Sequence, residues 1–132
     1  MSIAIGPDGF ATIAYANGTN LRVAKCNNLA CTAPLLTTVD TGATIRYTAV
    51  ATGSDGLPVI AYEYGNALRV VHCSKSTKVL VDRTPSTTEG PFASIAIGPD
   101  GQPVMTYLDS TNGKVRDAKP GYTSWVANSW TH

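Results

Sequence analysis

One short phrase occurs three times in this chain, and its spacing limits the available folds more than any other feature. Ile3-Ala4-Ile5-Gly6-Pro7-Asp8-Gly9 returns as Val50-Ala51-Thr52-Gly53-Ser54-Asp55-Gly56 and again as Ile95-Ala96-Ile97-Gly98-Pro99-Asp100-Gly101. The aspartates of the three copies stand 47 and 45 residues apart, so nearly all of the 132 residues belong to three tandem units. The units run over 1–46, 47–91 and 92–132 within a single domain.

Each unit parses into four short strands separated by turn signals. The first strand is expected at Ser2 to Ile5, Thr48 to Ala51 and Ser94 to Ile97, and it stops at Gly-Pro-Asp-Gly or Gly-Ser-Asp-Gly. The second is expected at Ala11 to Tyr15, Pro58 to Tyr62 and Pro103 to Tyr107. Proline at a strand's first residue forfeits no ladder donor. The third covers Leu21 to Cys26, Leu68 to Cys73 and Val115 to Lys119. The turn before its last copy is lengthened by Asp109-Ser110-Thr111-Asn112-Gly113. The fourth covers Leu35 to Asp40, Val79 to Asp82 and Trp125 to Trp130, and a connection through Tyr47 or Phe92 opens the next unit. No stretch carries a capped helical periodicity. The chain reads as all-β.

Three architectures accept three four-stranded units: a β-trefoil, a β-prism and a β-propeller. Chain length favours the first two, each a closed monomer, because propellers typically have about four to eight blades. The residues argue for the third. Apolar side chains occupy both faces of the first two strands, as in Ile3, Ala4 and Ile5 or Val59, Ile60 and Ala61. That pattern belongs to a sheet sandwiched between two others, not to one with a wet face. The low charged fraction, 14%, agrees.

The unit also resembles a bacterial family of β-propeller repeats, which read Ser-Ile-Ala-Ile-Gly-x-Asp-Gly-x-Pro-x-Ile-x-Tyr, then a turn with Asn-Gly, then a strand such as Leu-Lys-Val-Ala-His-Cys. The likeness is carried by Ser94 to Tyr107, Asp109 to Gly113, Leu68 to Cys73 and Val81-Asp82. It implies a four-stranded blade per unit and no particular activity. Some such propellers are labelled sialidase-like, but the Ser-x-Asp-x-Gly-x-Thr-Trp box of sialidases is absent here. Three blades are half of a six-bladed ring, and an open half would expose two apolar faces. A homodimer closing head to tail is therefore expected, with a piece of a longer propeller and a different closed multiple as the rivals.

Arg22, Arg69 and Arg116 share one repeat position, spaced 47 and 47. They read either as structural arginines, bonded to a neighbouring strand's carbonyls or a repeated Asp, or as ligand sites for a sugar or carboxylate. The second reading resembles multivalent propeller lectins. Tyr15, Tyr62 and Tyr107 also repeat, and a buried ring with its hydroxyl at a blade edge accounts for them. Departures from the repeat add candidates: Glu63 and Tyr64 beside Tyr62, Asp117 in place of Val23 and Val70, and Trp125 and Trp130 in the last unit only. An aromatic beside a carboxylate suits sugar binding, whereas adaptation to a different neighbour would also change a terminal unit.

Cys26 and Cys31 flank a four-residue segment, and Cys73 repeats the position of Cys26. A disulfide closing so small a loop is worth about 2 kcal/mol and would suit an extracytoplasmic setting. Three buried thiols would suit a reducing one. Two cysteines with no nearby histidine are a poor zinc site. Met1 is followed by neither a basic nor an apolar leader region, so the chain is either not exported by that route or a processed piece. A net charge of +1 gives no field to draw nucleic acid, and no apolar run reaches membrane-spanning length.

With two histidines, His72 on a solvated strand position and His132 last, no nucleophile–base spacing, glycine-rich phosphate loop or metal cluster is visible. Catalysis, with or without a cofactor, is not expected. The reading is a non-enzymatic oligomeric propeller that binds partners, carbohydrate first among them. A structural or protein-interaction propeller fragment is the alternative, and a fragment of a carbohydrate-active enzyme a further one.

Overall fold

The computed structural model describes residues 1–65, 67–73, 78–83, 93–109, 114–120 and 125–130, with side chains at 1–65, 67–73, 93–108, 115 and 117. Twelve strands fall in three sheets of four. The first sheet holds β1 (Ser2–Ile5), β2 (Ala11–Asn17), β3 (Asn20–Lys25) and β4 (Leu35–Thr41). The second holds β5 (Ile45–Thr52), β6 (Pro58–Tyr64), β7 (Ala67–His72) and β8 (Lys78–Arg83). The third holds β9 (Ser94–Ile97), β10 (Pro103–Asp109), β11 (Lys114–Pro120) and β12 (Trp125–Trp130). Within each sheet the strands pair antiparallel in chain order, an up-and-down meander. No helix occurs among the described residues.

The repeated phrase becomes one turn built three times. Gly6 N–H donates to the Phe10 carbonyl at 3.0 Å, and Gly9 N–H to the Gly6 carbonyl at 2.9 Å. The Asp8 carboxylate accepts from Phe10 N–H at 3.0 Å, and Asp55 and Asp100 accept likewise from Leu57 and Gln102. The last glycine of each turn has φ near +80°, a conformation that costs a residue with a Cβ. From β3, Lys25 reaches Asp8 at 2.9 Å; from β7, His72 reaches Asp55 at 2.9 Å. Lys25 holds the Asp8 carboxyl below its usual range, and the Leu57 amide, with His72 beside it, does the same for Asp55.

Two apolar clusters join the sheets face to face. Ala14, Leu21 and Val23 of the first sheet pack on Ile45, Val50, Ile60, Tyr62 and Val71 of the second. The opposite face of the second sheet, with Ala49, Val59, Ala61, Leu68 and Val70, packs on Met105 and Tyr107 of the third. Along β6 every residue from Val59 to Glu63 is therefore buried, odd and even positions alike. The expected two-faced burial is present in this middle sheet. Hydroxyls lace its inner strand to the first sheet: Thr48 donates to the Ala14 carbonyl at 3.0 Å and Thr52 to the Ile5 carbonyl at 2.8 Å.

Strand limits differ from expectation in a consistent way. The second strand of each unit runs two residues past its tyrosine, and β5 begins at Ile45 rather than Thr48, with a ladder irregularity between Arg46 and Ala49 where Tyr47 has φ +46°. The third strands stop one residue before Cys26 and Cys73, although both amides still donate to the neighbouring strand, to Ala11 and Pro58. Cys26 is buried and joined to Cys31 in a disulfide, while Cys73 is a free, exposed thiol. Residues 110–113 and Phe92 lie outside the described residues.

The outward face of the first sheet is not covered. Ile3, Ile13, Ala24 and Leu36 form one row straight across its four strands. Ile3 is 62% exposed, Ile5 60% and Leu36 49%. In the second sheet the matching residues Val50, Ile60 and Val71 are buried. An isoleucine of this row should thus carry different weight in the two sheets. Ile60→Ala is expected to lower the unfolding free energy by about 3 kcal/mol, and Ile3→Ala by less than about 0.5 kcal/mol, both read from urea-unfolding midpoints.

Candidate functional site

A buried polar cluster between the first two sheets is centred on Asp40. In the β3–β4 ladder Leu21 stands opposite Asp40, but Arg22 stands opposite Thr38, so Val39 is an extra residue. Such a bulge bends the strand and re-aims its side chains. Val39 packs toward the apolar cluster. Asp40 is turned onto the second sheet, where its Oδ2 accepts from the Tyr62 hydroxyl at 2.5 Å and from Arg69 Nη1 at 3.3 Å.

Tyr62 and Arg69 meet because they are direct cross-strand partners on β6 and β7. Tyr64, two residues along the same face of β6, lies under the guanidinium, with the Arg69 carbon 3.6 Å from its ring centre. The Tyr64 hydroxyl donates to the Thr41 carbonyl at 3.3 Å, which returns the cluster to β4. Tyr62 has no solvent-exposed surface and Asp40 only 9%. Burial, then the adjacent Asp40 carboxylate, pushes the Tyr62 hydroxyl far above the usual phenol range. It therefore stays protonated and donates, which a buried carboxylate requires.

At one position of the arginine register these contacts are those of the structural reading. Arg69 is a structural arginine bonded to an Asp of the neighbouring unit, and Tyr62, a candidate sugar contact, is buried beneath that unit. Tyr64 is engaged with Arg69 on one side and Thr41 on the other. Arg116 stands opposite Tyr107 in the β10–β11 ladder, as Arg69 stands opposite Tyr62. The side chains of Arg116, Trp125 and Trp130 lie outside the described residues.

Arg22 repeats the arrangement without its acceptor. It stands opposite Tyr15 on the uncovered face of the first sheet, both half-buried. Its Nε is buried and makes no hydrogen bond. The Asp–Tyr–Arg cluster is thus complete between the first and second sheets and half-built on the outer face of the first.

Asp40 was the residue that strand periodicity alone did not single out. The bulge that aims it is invisible to a period-2 reading, but a signal existed. Val39-Asp40 and Val81-Asp82 recur at the end of the fourth strand, and the third unit breaks the pattern. In the ladders Asp40 faces Leu21 and Asp82 faces Leu68, with the same one-residue shift beside each. Trp130 faces Val115 at the corresponding place, with no shift.

Glu63 is a second oddity. By strand alternation it shares the face of Val59 and Ala61, and it is buried opposite Leu68. Its Oε2 is buried and has no hydrogen-bond partner. Burial raises its carboxyl above the ordinary value of 4.5, with Arg46 opposing. Among the described residues no three His, Cys, Asp or Glu side chains gather as a metal site. No protein-family model matches the chain, and no curated protein matches it.

Two outcomes follow from this geometry. Asp40→Ala strands the Tyr62 hydroxyl and should lower stability by about 2 kcal/mol. Arg69→Ala made on top of it should add little, which a double-mutant cycle in urea reads. Glu63 binds its proton more tightly folded than unfolded, so its contribution is fully present below pH 4.5 and is lost as pH rises through the raised folded value. Glu63→Gln removes that loss. Its stability relative to the native chain should rise from pH 4 to pH 7, followed by denaturation midpoints across that range.

Proposed function

We propose that the chain is a three-blade segment of a β-propeller acting as a non-enzymatic scaffold, whose chemistry serves the joining of blades. The observation that carries this reading is the direction of the polar cluster around Asp40. Arg69 and Tyr62 point inward to Asp40 of the adjacent sheet, not outward to a ligand. Burial of the second sheet on both faces supports a radial stack of blades.

Carbohydrate binding through the arginine register is disfavoured by the same contacts. A sugar would have to displace a carboxylate and an aromatic ring from Arg69, leaving the buried Asp40 without its cationic partner. The protein-interaction alternative needs no such displacement, because the uncovered faces of the outer sheets are available to partners.

A glycan array probed with the whole chain is expected to retain no sugar. Retention by the native chain that Arg22→Ala abolishes, with the circular dichroism spectrum unchanged, would overturn the scaffold reading in favour of a lectin.

A further inference from the structure

We propose that the outward face of the first sheet is a docking site for another β-meander sheet of this repeat type, one that carries a bulged Val-Asp at the end of its fourth strand. The proposal deepens the scaffold reading and rests on it for the nature of the partner.

The argument starts from two sheets of one chain that present the same face. On the second sheet that face comprises Val50, Ile60 and Val71 in one row, with Tyr62 and Arg69 beside it. On the first sheet it comprises Ile3, Ile13 and Ala24, with Tyr15 and Arg22 beside them. The first of these faces is covered by Ala14, Leu21 and Val23 of the preceding sheet, and its arginine and tyrosine are met by Asp40. The second face has the same apolar row, the same tyrosine and the same guanidinium, and Arg22 Nε is buried with no acceptor. A buried guanidinium N–H needs a hydrogen-bond acceptor. The covered copy of the face shows which acceptor fits: a carboxylate from an outermost strand, lying over the tyrosine–arginine pair.

The same comparison says which sheet does not fit. A second copy of this chain docking head to tail would offer its third sheet. There Trp130 occupies the ladder position of Asp40, without the bulge. The facing surface of that sheet also changes character. Thr106 and Asp117 stand where the first sheet has Ala14 and Val23, and Val115, 40% exposed, stands where it has Leu21. Asp117 would be laid over the isoleucine row rather than over Arg22. The chemistry that completes the site is an apolar Ala/Leu/Val face with a Val-Asp outer strand, and the third sheet supplies neither.

The repeat spacing makes a direct test possible. Ser2 aligns with Ala49, so a copy of residues 2–48 joined ahead of Ser2 adds one unit in register and brings its own Asp40 toward Arg22. In this extended chain, Asp40→Asn in the added unit and Arg22→Ala in the original first unit are combined in a double-mutant cycle. A coupling of about tenfold in the unfolding equilibrium is expected. In the unextended chain Arg22→Ala should change that equilibrium less than about twofold. Limited proteolysis gives a second readout: the added unit should resist trypsin with its aspartate and be cleaved without it. Strict additivity, or equal cleavage of both forms, would overturn the proposal. So would sedimentation of the native chain as a dimer that Arg22→Ala dissociates, since the face would then belong to a second copy. None of these readouts involves sugar, so a positive glycan array would sink the scaffold reading alone.

Discussion

A carboxylate held away from water at the border between two sheets is the constraint on which the arrangement turns. Apolar burial brings the sheets together, but it is tolerant of sliding, since Val, Ile and Ala rows pack at several offsets. Asp40 is not tolerant. Its desolvation is offset by the Thr41 N–H on its own strand and, across the border, by the Tyr62 hydroxyl and the Arg69 guanidinium. One bulge on β4 thereby sets the register between neighbouring units. The backbone hydrogen bonds within each sheet could not do that.

The hydroxyl contacts of β5 act in the same sense elsewhere along that border. Thr48 and Thr52 donate to carbonyls of β2 and β1, so the two inner strands are tied through side chains without forming a continuous ladder. Three separate four-stranded sheets result, instead of one large one. Each sheet stays short, and its faces carry the energetics of stacking. That division of labour explains why few charges suffice: among the described residues, the ion pairs at Asp8–Lys25 and His72–Asp55 are exposed and close turns, where such pairs contribute little.

Much of this was legible in the residues, for reasons that can be named. Val59, Ile60 and Ala61 in succession imply burial on both sides, and they are buried on both sides. The Gly-x-Asp-Gly phrase implies one turn type, and three identical turns form. Strand lengths were less legible because Glu63-Tyr64 and Asn17 look like departures from an apolar pattern, yet their backbones continue the ladder. Tyr64 reads as a sugar platform in sequence and is a brace for Arg69 in space. Its role depends on a residue five positions away on the next strand and on a carbonyl of the preceding unit. No local pattern contains that information.

Departures from the repeat sort themselves by the face they lie on. Tyr64 replaces Asn17 where a carboxylate must be enclosed. Thr106 and Asp117 replace Ala14 and Val23 on the side of the third sheet that turns away from the second. Ile3 and Ile5, on the outward side of the first sheet, keep the apolar character of covered positions although they are exposed, and Ile13 beside them is half-buried. The two ends of the stack are therefore chemically unlike. One has accepted water, while the other retains a greasy row and a buried guanidinium nitrogen with no acceptor. A face built for solvent would replace those isoleucines first, since exposed apolar surface of that extent is what water selects against. Tyr15 and Arg22 stand beside that row as direct cross-strand partners, in the pairing that Tyr62 and Arg69 complete with Asp40 on the covered sheet.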